Sequence, residues 1–548
     1  MKTKKNIKKI WPLFLCSGML AGCSTNTAVL NTAPSAAVEA SQEIATDIDW
    51  KNAEHTTIRL EDGAAEIDKS GIFELTGSLK DGSVAINVDK AKDNGTVYLV
   101  LNNAAIESKT SAPIYIKEAE KVVIFLEDGT VNTVTQGAET ITDESGDPSS
   151  AVFSKANLII AGTGSLKVVS KYNDGITSKD DLIISGGIIQ VSAVGDGITG
   201  KDMLTVETAD ITINAGKDGM RSTNTEDTAK GNITITDGIF HITAANDAIQ
   251  AEQIIQIDGG TFDLNSGDGY PGQSIKTNDS FGGRPGAGNL ERTAPPDAAA
   301  KTPAVNETAA AETITAELTT AETTKAENEE SKKSIKAGTE LIVNSGTFTV
   351  SSCEDALHSN GTISINGGTF SIEAGDDAIH ADAAVLITSG EITISNSYEG
   401  VEGGNITIKD GTLTLTSSND GINVSSQTGE LIIDGGDISI KSGGDGIDSN
   451  GNIVMNGGTV VIDTSTTGQG DTPVDCDGTC TVNGGTITDQ NGTAIDCQNQ
   501  QRGGHGGRPA MGDSGNTSGE RPVQPDGESM SGNRPQRGKG GRIDESGS

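Results

Sequence analysis

Along residues 174–448, apolar and polar positions alternate in short bursts, and the bursts return about every 22 residues. In one unit Ile363 and Ile365 alternate with polar residues, and Phe370 and Ile372 do so again after the Gly367-Gly368 turn. Short period-two runs bounded by Asn, Asp or Gly describe strands that bury one face, and the unit leaves no room for a helix. Each unit opens with Asp, then Gly or Ala, then Ile or a relative: Asp174-Gly175-Ile176, Asp196-Gly197-Ile198, Asp218-Gly219-Met220, Asp247-Ala248-Ile249, Asp355-Ala356-Leu357, Asp377-Ala378-Ile379, Glu399-Gly400-Val401, Asp420-Gly421-Ile422 and Asp445-Gly446-Ile447. Successive starts differ by 22, 22 and 29 residues in the first half and by 22, 22, 21 and 25 in the second. A fixed period of this size signals stacked units, each too small to bury its own apolar face. The pattern predicts an all-β parallel β-helix of roughly 22-residue coils.

Strand alternation then predicts what faces outward. Coils stacked about 4.8 Å apart turn equivalent positions into ladders. The Ile ladder points inward, and the ladder two residues later is small: Ser178, Gly200, Ser222, Ala251, Ser359, Ala381, Gly403 and Ser449. Between them an outward ladder runs through Thr177, Thr199, Arg221, Gln250, His358, His380, Glu402, Asn423 and Asp448, beside the Asp column itself. Carboxylates, imidazoles and amides are thereby lined up on one long face, where function is expected.

The remaining segments bound this rod. Five lysines precede an apolar run ending in Leu20-Ala21-Gly22-Cys23, the pattern of a secretory signal (1–22) with a bacterial lipobox. Lipidation of Cys23, a flexible tether over 23–49 and display on the outer face of the cell envelope are expected. Residues 50–270 read as an N-terminal cap and the first half of the β-helix, and 337–497 as the second half. Pro, Ala, Thr and Glu fill 271–336, and Gly, Pro and Arg fill 498–548, so a disordered insertion and tail are expected. In Asp143-Glu144-Ser145-Gly146-Asp147-Pro148 several oxygen ligands stand close together.

Charge narrows the partners. The 548 residues carry 77 acidic and 39 basic side chains, a net charge of −38, so the basic footprint that nucleic acid requires is missing. Cations and cation-bridged partners are favoured instead. Aromatics make up 3% and Trp11 lies in the signal, leaving Trp50 as the one tryptophan beyond it; a broad platform for flat cellulose chains is not expected. Cys476 and Cys497 stand 21 residues apart, about one coil. They read either as a disulfide or as two small buried thiols, and a four-sulfur zinc site is disfavoured because alternation would not converge the ligands.

Several phrases in combination resemble the bacterial surface lipoprotein family of carbohydrate-binding domain-containing proteins: Tyr172-Asn173-Asp174-Gly175-Ile176, Asp376-Asp377-Ala378-Ile379-His380-Ala381, Ser397-Tyr398-Glu399-Gly400-Val401 and Gly444-Asp445-Gly446-Ile447-Asp448. The resemblance implies a right-handed parallel β-helix similar in shape to pectate lyases. It also implies binding of acidic polysaccharide such as polygalacturonate, with cellulose as a second candidate, and bound calcium. One departure is Asp475-Cys476-Asp477-Gly478, where an aromatic residue would be usual.

Calcium suits a ladder of hard oxygen ligands. The densest cluster is Asp376, Asp377, Glu399, Glu402, Asp420, Asp445 and Asp448. Asp before Gly is also favoured simply because its side chain caps a tight corner. His358, His380, Tyr398 and Asn423 are the candidate sugar contacts, with the two histidines also suited to a transition metal. The competing reading is a calcium-dependent lyase using Lys179, Lys201 or Arg221 as base; a third is a structural scaffold or adhesin. The sequence as a whole reads as a monomeric, lipid-anchored, calcium-assisted binder of acidic polysaccharide that does not cleave it.

Overall fold

A computed structural model describes residues 49–271, 330–464 and 471–497. The signal, Cys23, the tether, most of the insertion and the tail lie outside them. The chain winds into a parallel β-solenoid of about 15 turns. Each regular coil contributes three short strands, as in Asp174–Ser178, Asp181–Ile184 and Ile188–Ala193. The strands that carry the Asp-x-Ile phrase form one 15-stranded sheet, and the other two faces form a second sheet of 29 strands. Register is regular apart from shifts at Leu75/Gly77, Ile86/Asn87 and Ile372/Glu373: Ile176 pairs with Ile198 and Thr177 with Thr199, while Leu182 meets Leu204 and Val191 meets Ile213. Like residue therefore stacks on like, and the core is one continuous column of Ile, Leu and Val.

The alternation read from the chain holds inside. Ile176, Ile198 and Ile379 are fully buried, as are the small residues Ser178, Ser359 and Ala381. Phe240, Phe262, Phe348 and Phe370 stack face to face with centroids 4.6 Å apart. The glycine two residues before each ring (238, 260, 346 and 368) has φ between +106° and +140°. That conformation suits glycine, and a Cβ at Gly346 would lie 2.9 Å from the Phe348 ring.

Three differences from expectation stand out. The strand Ile335–Ala337 joins the stack between Ile249–Ala251 and Leu357–Ser359, so the second half begins before residue 337. Lys333-Ser334-Ile335 keeps only the Ile of the repeat phrase, which is why the coil is hard to see in the sequence. The disulfide joins Cys480 to Cys497 with Cα atoms 6.0 Å apart, and Cys476 instead directs its sulfur at the Gly451 carbonyl, 3.4 Å away. Cys497 leaves the regular register after the antiparallel bridge between Thr488 and Ala494, so the 21-residue spacing misidentifies its partner. At the other end Trp50 is buried and donates to Glu127 at 2.6 Å, and Thr56–Arg59 pairs with Gly71–Leu79 to close the first coil.

Truncating one ring of the stack removes contacts on both faces. Phe348→Ala is expected to cost about 3–5 kcal/mol, read as a lower urea midpoint, whereas Phe348→Leu should lose less.

Candidate functional site

The Asp of each repeat sits at the corner just before its strand and folds along the stack. The amide of Asp196 donates to Asp174 Oδ1 at 3.0 Å, that of Asp218 to Asp196 Oδ1 at 3.2 Å, and that of Asp247 to Asp218 Oδ1 at 3.1 Å. The relay passes from Asp247 to the Lys333 amide at 2.7 Å. It continues from Asp355 to Asp377 at 3.2 Å, from Asp377 to Glu399 at 3.1 Å and from Asp420 to Asp445 at 2.7 Å. Asp445 in turn accepts from the Thr472 amide. At these corners one carboxylate oxygen satisfies an amide, as the turn-chemistry reading holds, and the second oxygen is left for side chains; among the described residues the steps from Lys333 to Asp355 and from Glu399 to Asp420 show no such bond.

This burial corrects the expectation of an open acidic column. Asp247, Asp355 and Asp377 are each only 2% exposed. The neighbouring ladder is also less open than alternation suggests: Thr177, Thr199 and His358 are buried, while Arg221, Gln250, His380, Glu402, Asn423 and Asp448 are half-buried. Stacked side chains one coil apart cover each other's flanks.

Along this face the structure separates three zones. In the first, Arg221 reaches Asp218 at 3.2 Å and Asp196 at 3.4 Å. Lys179 instead engages Asp147 at 3.6 Å and lies over the Phe153 ring, and Lys155 takes Asp147 at 2.9 Å. The acidic loop 143–148 is therefore occupied by lysines. Lys201 is half-buried on the next coil.

The middle zone is mixed. Lys333 takes the column position where an Asp would stand and meets Asp355 at 2.7 Å. His358 Nδ1 lies 2.8 Å from Asp355 and its Nε2 2.9 Å from Asn360 Oδ1. His380 Nδ1 lies 3.1 Å from Asp377 and 3.4 Å from Glu402, with Nε2 3.4 Å from Asp382. Asp355, Asp376 and Asp377 also bring oxygens within 4.8 Å of one another. Glu399 is held apart, accepting from Asn419 at 3.2 Å and from Asn423 at 2.9 Å.

The third zone is purely acidic. Asp445, Asp448 and Asp475 present oxygens within 4.8 Å of one another, all half-buried. Asp475 follows Asp448 in register, and Asp355 opens the middle zone. Neither was among the nominated cation ligands. Their repeat position was the available signal, since Asp475 falls one ladder step beyond Asp448.

Burial dominates the electrostatics. It raises the carboxyls of Asp174 and Asp420 to about 6 and of Asp218 and Asp448 to about 7, with neighbouring carboxylates adding to the shift. Glu399 is pushed up to about 9 by burial and by Asp377 and Glu402. Burial likewise opposes charge on Asp355, yet the hydrogen bond from His358 and the Lys333 ammonium hold it below the usual carboxylate range. His380 rises to about 9: burial works against its charge, but the bond to Asp377 and the surrounding carboxylates prevail. Burial raises Asp445 and Asp448 as well, with Asp475 and Asp471 adding to the shift of the first and Asp420, Asp445, Asp475 and Asp477 to that of the second.

On an adjoining corner, Tyr270, Asn396, Ser397, Tyr398, Ser417 and Ser418 line a cavity of about 170 Å³. Rings, hydroxyls and an amide converge there, a lining suited to a sugar ring. Tyr398 is thus placed in a cavity, while His358, His380 and Asn423 are engaged with carboxylates of the column.

Comparison with known proteins adds the following. The sequence model of a family described as carbohydrate-binding domain-containing protein matches residues 61–378 and 376–510. A protein of Acetivibrio thermocellus with that description is 33% identical over 173 residues, covering 31% of this chain. The chain spans 59% of that relative's length. A solved structure titled as the polysaccharide lyase-like protein from C. thermocellum, a gadolinium derivative, shares 33% identity over 36% of this chain and 83% of its own, with a TM-score of 0.34.

Two outcomes follow for the column. Asp218→Ala strands the Asp247 amide and is expected to cost about 1–3 kcal/mol, while Asp218→Asn keeps an acceptor and should be tolerated. Raised carboxyl pKa values give stability that is complete below the unfolded value and is lost as pH rises through the folded one. With folded values near 6 for Asp420 and near 7 for Asp218 and Asp448, the thermal midpoint in chelator is expected to fall between pH 5 and pH 8.

Proposed function

The chain belongs to the carbohydrate-binding domain-containing protein family, and from that premise we propose that it captures acidic polysaccharide at the cell surface with calcium as the bridge, without cleaving it. The observation that carries this reading is the Asp445–Asp448–Asp475 cluster, three converging carboxylates with no ion pair to a basic side chain among the described residues. Its donor set fits calcium, which takes several oxygen ligands in flexible geometry. Close carboxylates that repel one another are relieved by a dication between them. Such an ion keeps coordination positions for a uronate carboxylate, which reconciles a chain of net charge −38 with an anionic polymer.

The donor sets elsewhere fit calcium less well. Asp355 is engaged by Lys333, and Asp377 and Glu402 face an imidazole. The nominated ligands Glu399 and Asp420 serve Asn419, Asn423 and the Asp445 amide. The Tyr270–Tyr398 cavity is the place for a sugar ring along the same polymer. Anchoring through lipidated Cys23 would hold the rod at the outer face of the envelope.

Binding rather than lysis is supported by the state of two of the three candidate bases. Lys179 is tied to Asp147, and Arg221 bridges Asp196 and Asp218. A base for proton abstraction needs to be within reach of substrate and able to release its own proton.

The test is retention of polygalacturonate by the protein with calcium and with chelator, while polymer length is followed. Calcium-dependent retention of uncut polymer is expected, with Asp448→Asn and Asp475→Asn each weakening it about tenfold or more, a loss of ~1.4 kcal/mol. Lys179→Ala and Lys201→Ala should leave retention unchanged. Shortened polymer would establish a lyase instead. No retention in either condition would favour a scaffold or adhesin.

A further inference from the structure

The middle zone differs chemically from the rest of the face. Its two histidines occupy successive coils, with ring centroids 5.1 Å apart. His380 belongs to two clusters of donor atoms, one with Asp377 and Glu402 and one with Asp355 and His358, and each cluster lies within 4.8 Å. We propose that this step binds one transition-metal dication of the zinc type, through His380, Asp377 and Glu402, with His358 as the ligand from the preceding coil.

Three geometric features carry the assignment. First, the contacts of His380 Nδ1 with Asp377 and Glu402, 3.1 and 3.4 Å, approach the separation of neighbouring ligands around a tetrahedral zinc. For zinc–ligand bonds of about 2.0–2.1 Å that edge is about 3.3–3.4 Å. An ion can therefore enter with small side-chain movements.

Second, both rings are oriented from behind. His358 Nε2 faces Asn360 Oδ1 at 2.9 Å, and His380 Nε2 faces Asp382 Oδ1 at 3.4 Å. A ligating histidine characteristically donates its other N–H to a carboxylate or carbonyl, which leaves the opposite nitrogen free for the metal. Here Nε2–H faces outward on both rings, and Nδ1, which donates its proton to a carboxylate when no ion is bound, releases that proton as it takes the metal.

Third, Asp377 and Glu402 supply two negative charges, while Lys333 already attends Asp355. A dication there takes the place of the single Nδ1 proton that lies between these two carboxylates. Imidazole nitrogen beside carboxylate selects zinc, copper, nickel or iron, whereas calcium takes oxygen ligands. The rod would then carry two chemically distinct cation positions, and this one does not depend on the sugar-binding reading.

The experiment is calorimetric titration of chelator-stripped full chain with zinc chloride in a large excess of calcium, so that oxygen-only clusters are already filled. One zinc per chain is expected, with affinity at least ~10-fold lower in His380→Gln and in His358→Gln. Cobalt substitution should give d–d absorption that His380→Gln abolishes. Should His380→Gln fail to fold by circular dichroism, Glu402→Gln, half-exposed on the same ladder, gives the same reading. Absence of zinc binding under calcium, or zinc binding unchanged by these variants, would overturn the assignment. Calcium-dependent retention of polygalacturonate is scored separately, so either proposal can fail alone.

Discussion

The structure depends on one constraint: each coil must satisfy its main-chain hydrogen bonds from the coils above and below. Along the strands the parallel ladders do this. At most corners before an Asp-x-Ile strand the preceding carboxylate takes over, and the amide of Asp196, Asp218, Asp377 or Asp445 donates to the acid one coil earlier. A buried amide without a partner costs more than the bond itself contributes, so an acceptor at this corner is favoured coil after coil. What is kept is the stacking of one coil on the next, while the number of residues between successive acids varies from 21 to 29 where no long insertion intervenes.

Regular stacking has an electrical consequence. Repeating an acid at every corner stacks like charges about 4.8 Å apart, in a setting where burial already disfavours ionisation. The chain meets this differently along its length. Arg221 spans two acids in the first zone; Lys333 replaces an acid in the middle, beside two imidazoles; Asn419 and Asn423 attend Glu399. Toward the last coils, among the described residues, no Arg, Lys or Asn side chain pairs with Asp445 or Asp448, and Asp445 accepts from Thr472. One repeated structural device thus becomes a graded face, with compensated acids at one end and uncompensated acids at the other.

A long stack with a graded face suits a long partner. Successive coils offer equivalent positions at a constant spacing, so a polymer lying along the rod meets several contacts in series, and weak contacts add when they are joined in one chain. The two ends are finished rather than repeated: Trp50 and Thr56–Arg59 cover the first coil, and the Cys480–Cys497 bond closes the last. Closure of this kind is what a solenoid needs, since its terminal strands otherwise present unpaired edges.

Much of this was legible in the chain alone. Period-two alternation places Ile363, Ile365, Phe370 and Ile372 on one buried face, and its return about every 22 residues points to stacked coils and so to the parallel β-solenoid with its inward Ser178–Ala381 ladder. It identifies the face on which Asp, His and Glu gather. The tertiary structure decided what those side chains do. Sequence spacing does not say that Asp377 turns one oxygen to the next amide, that His358 is buried, or that Lys333 enters the column 86 residues after Asp247, because each depends on contacts between coils that are distant in the chain. The disulfide partner was decided there too, since Cys497 lies beyond the last regular coil, where the period ceases to report position.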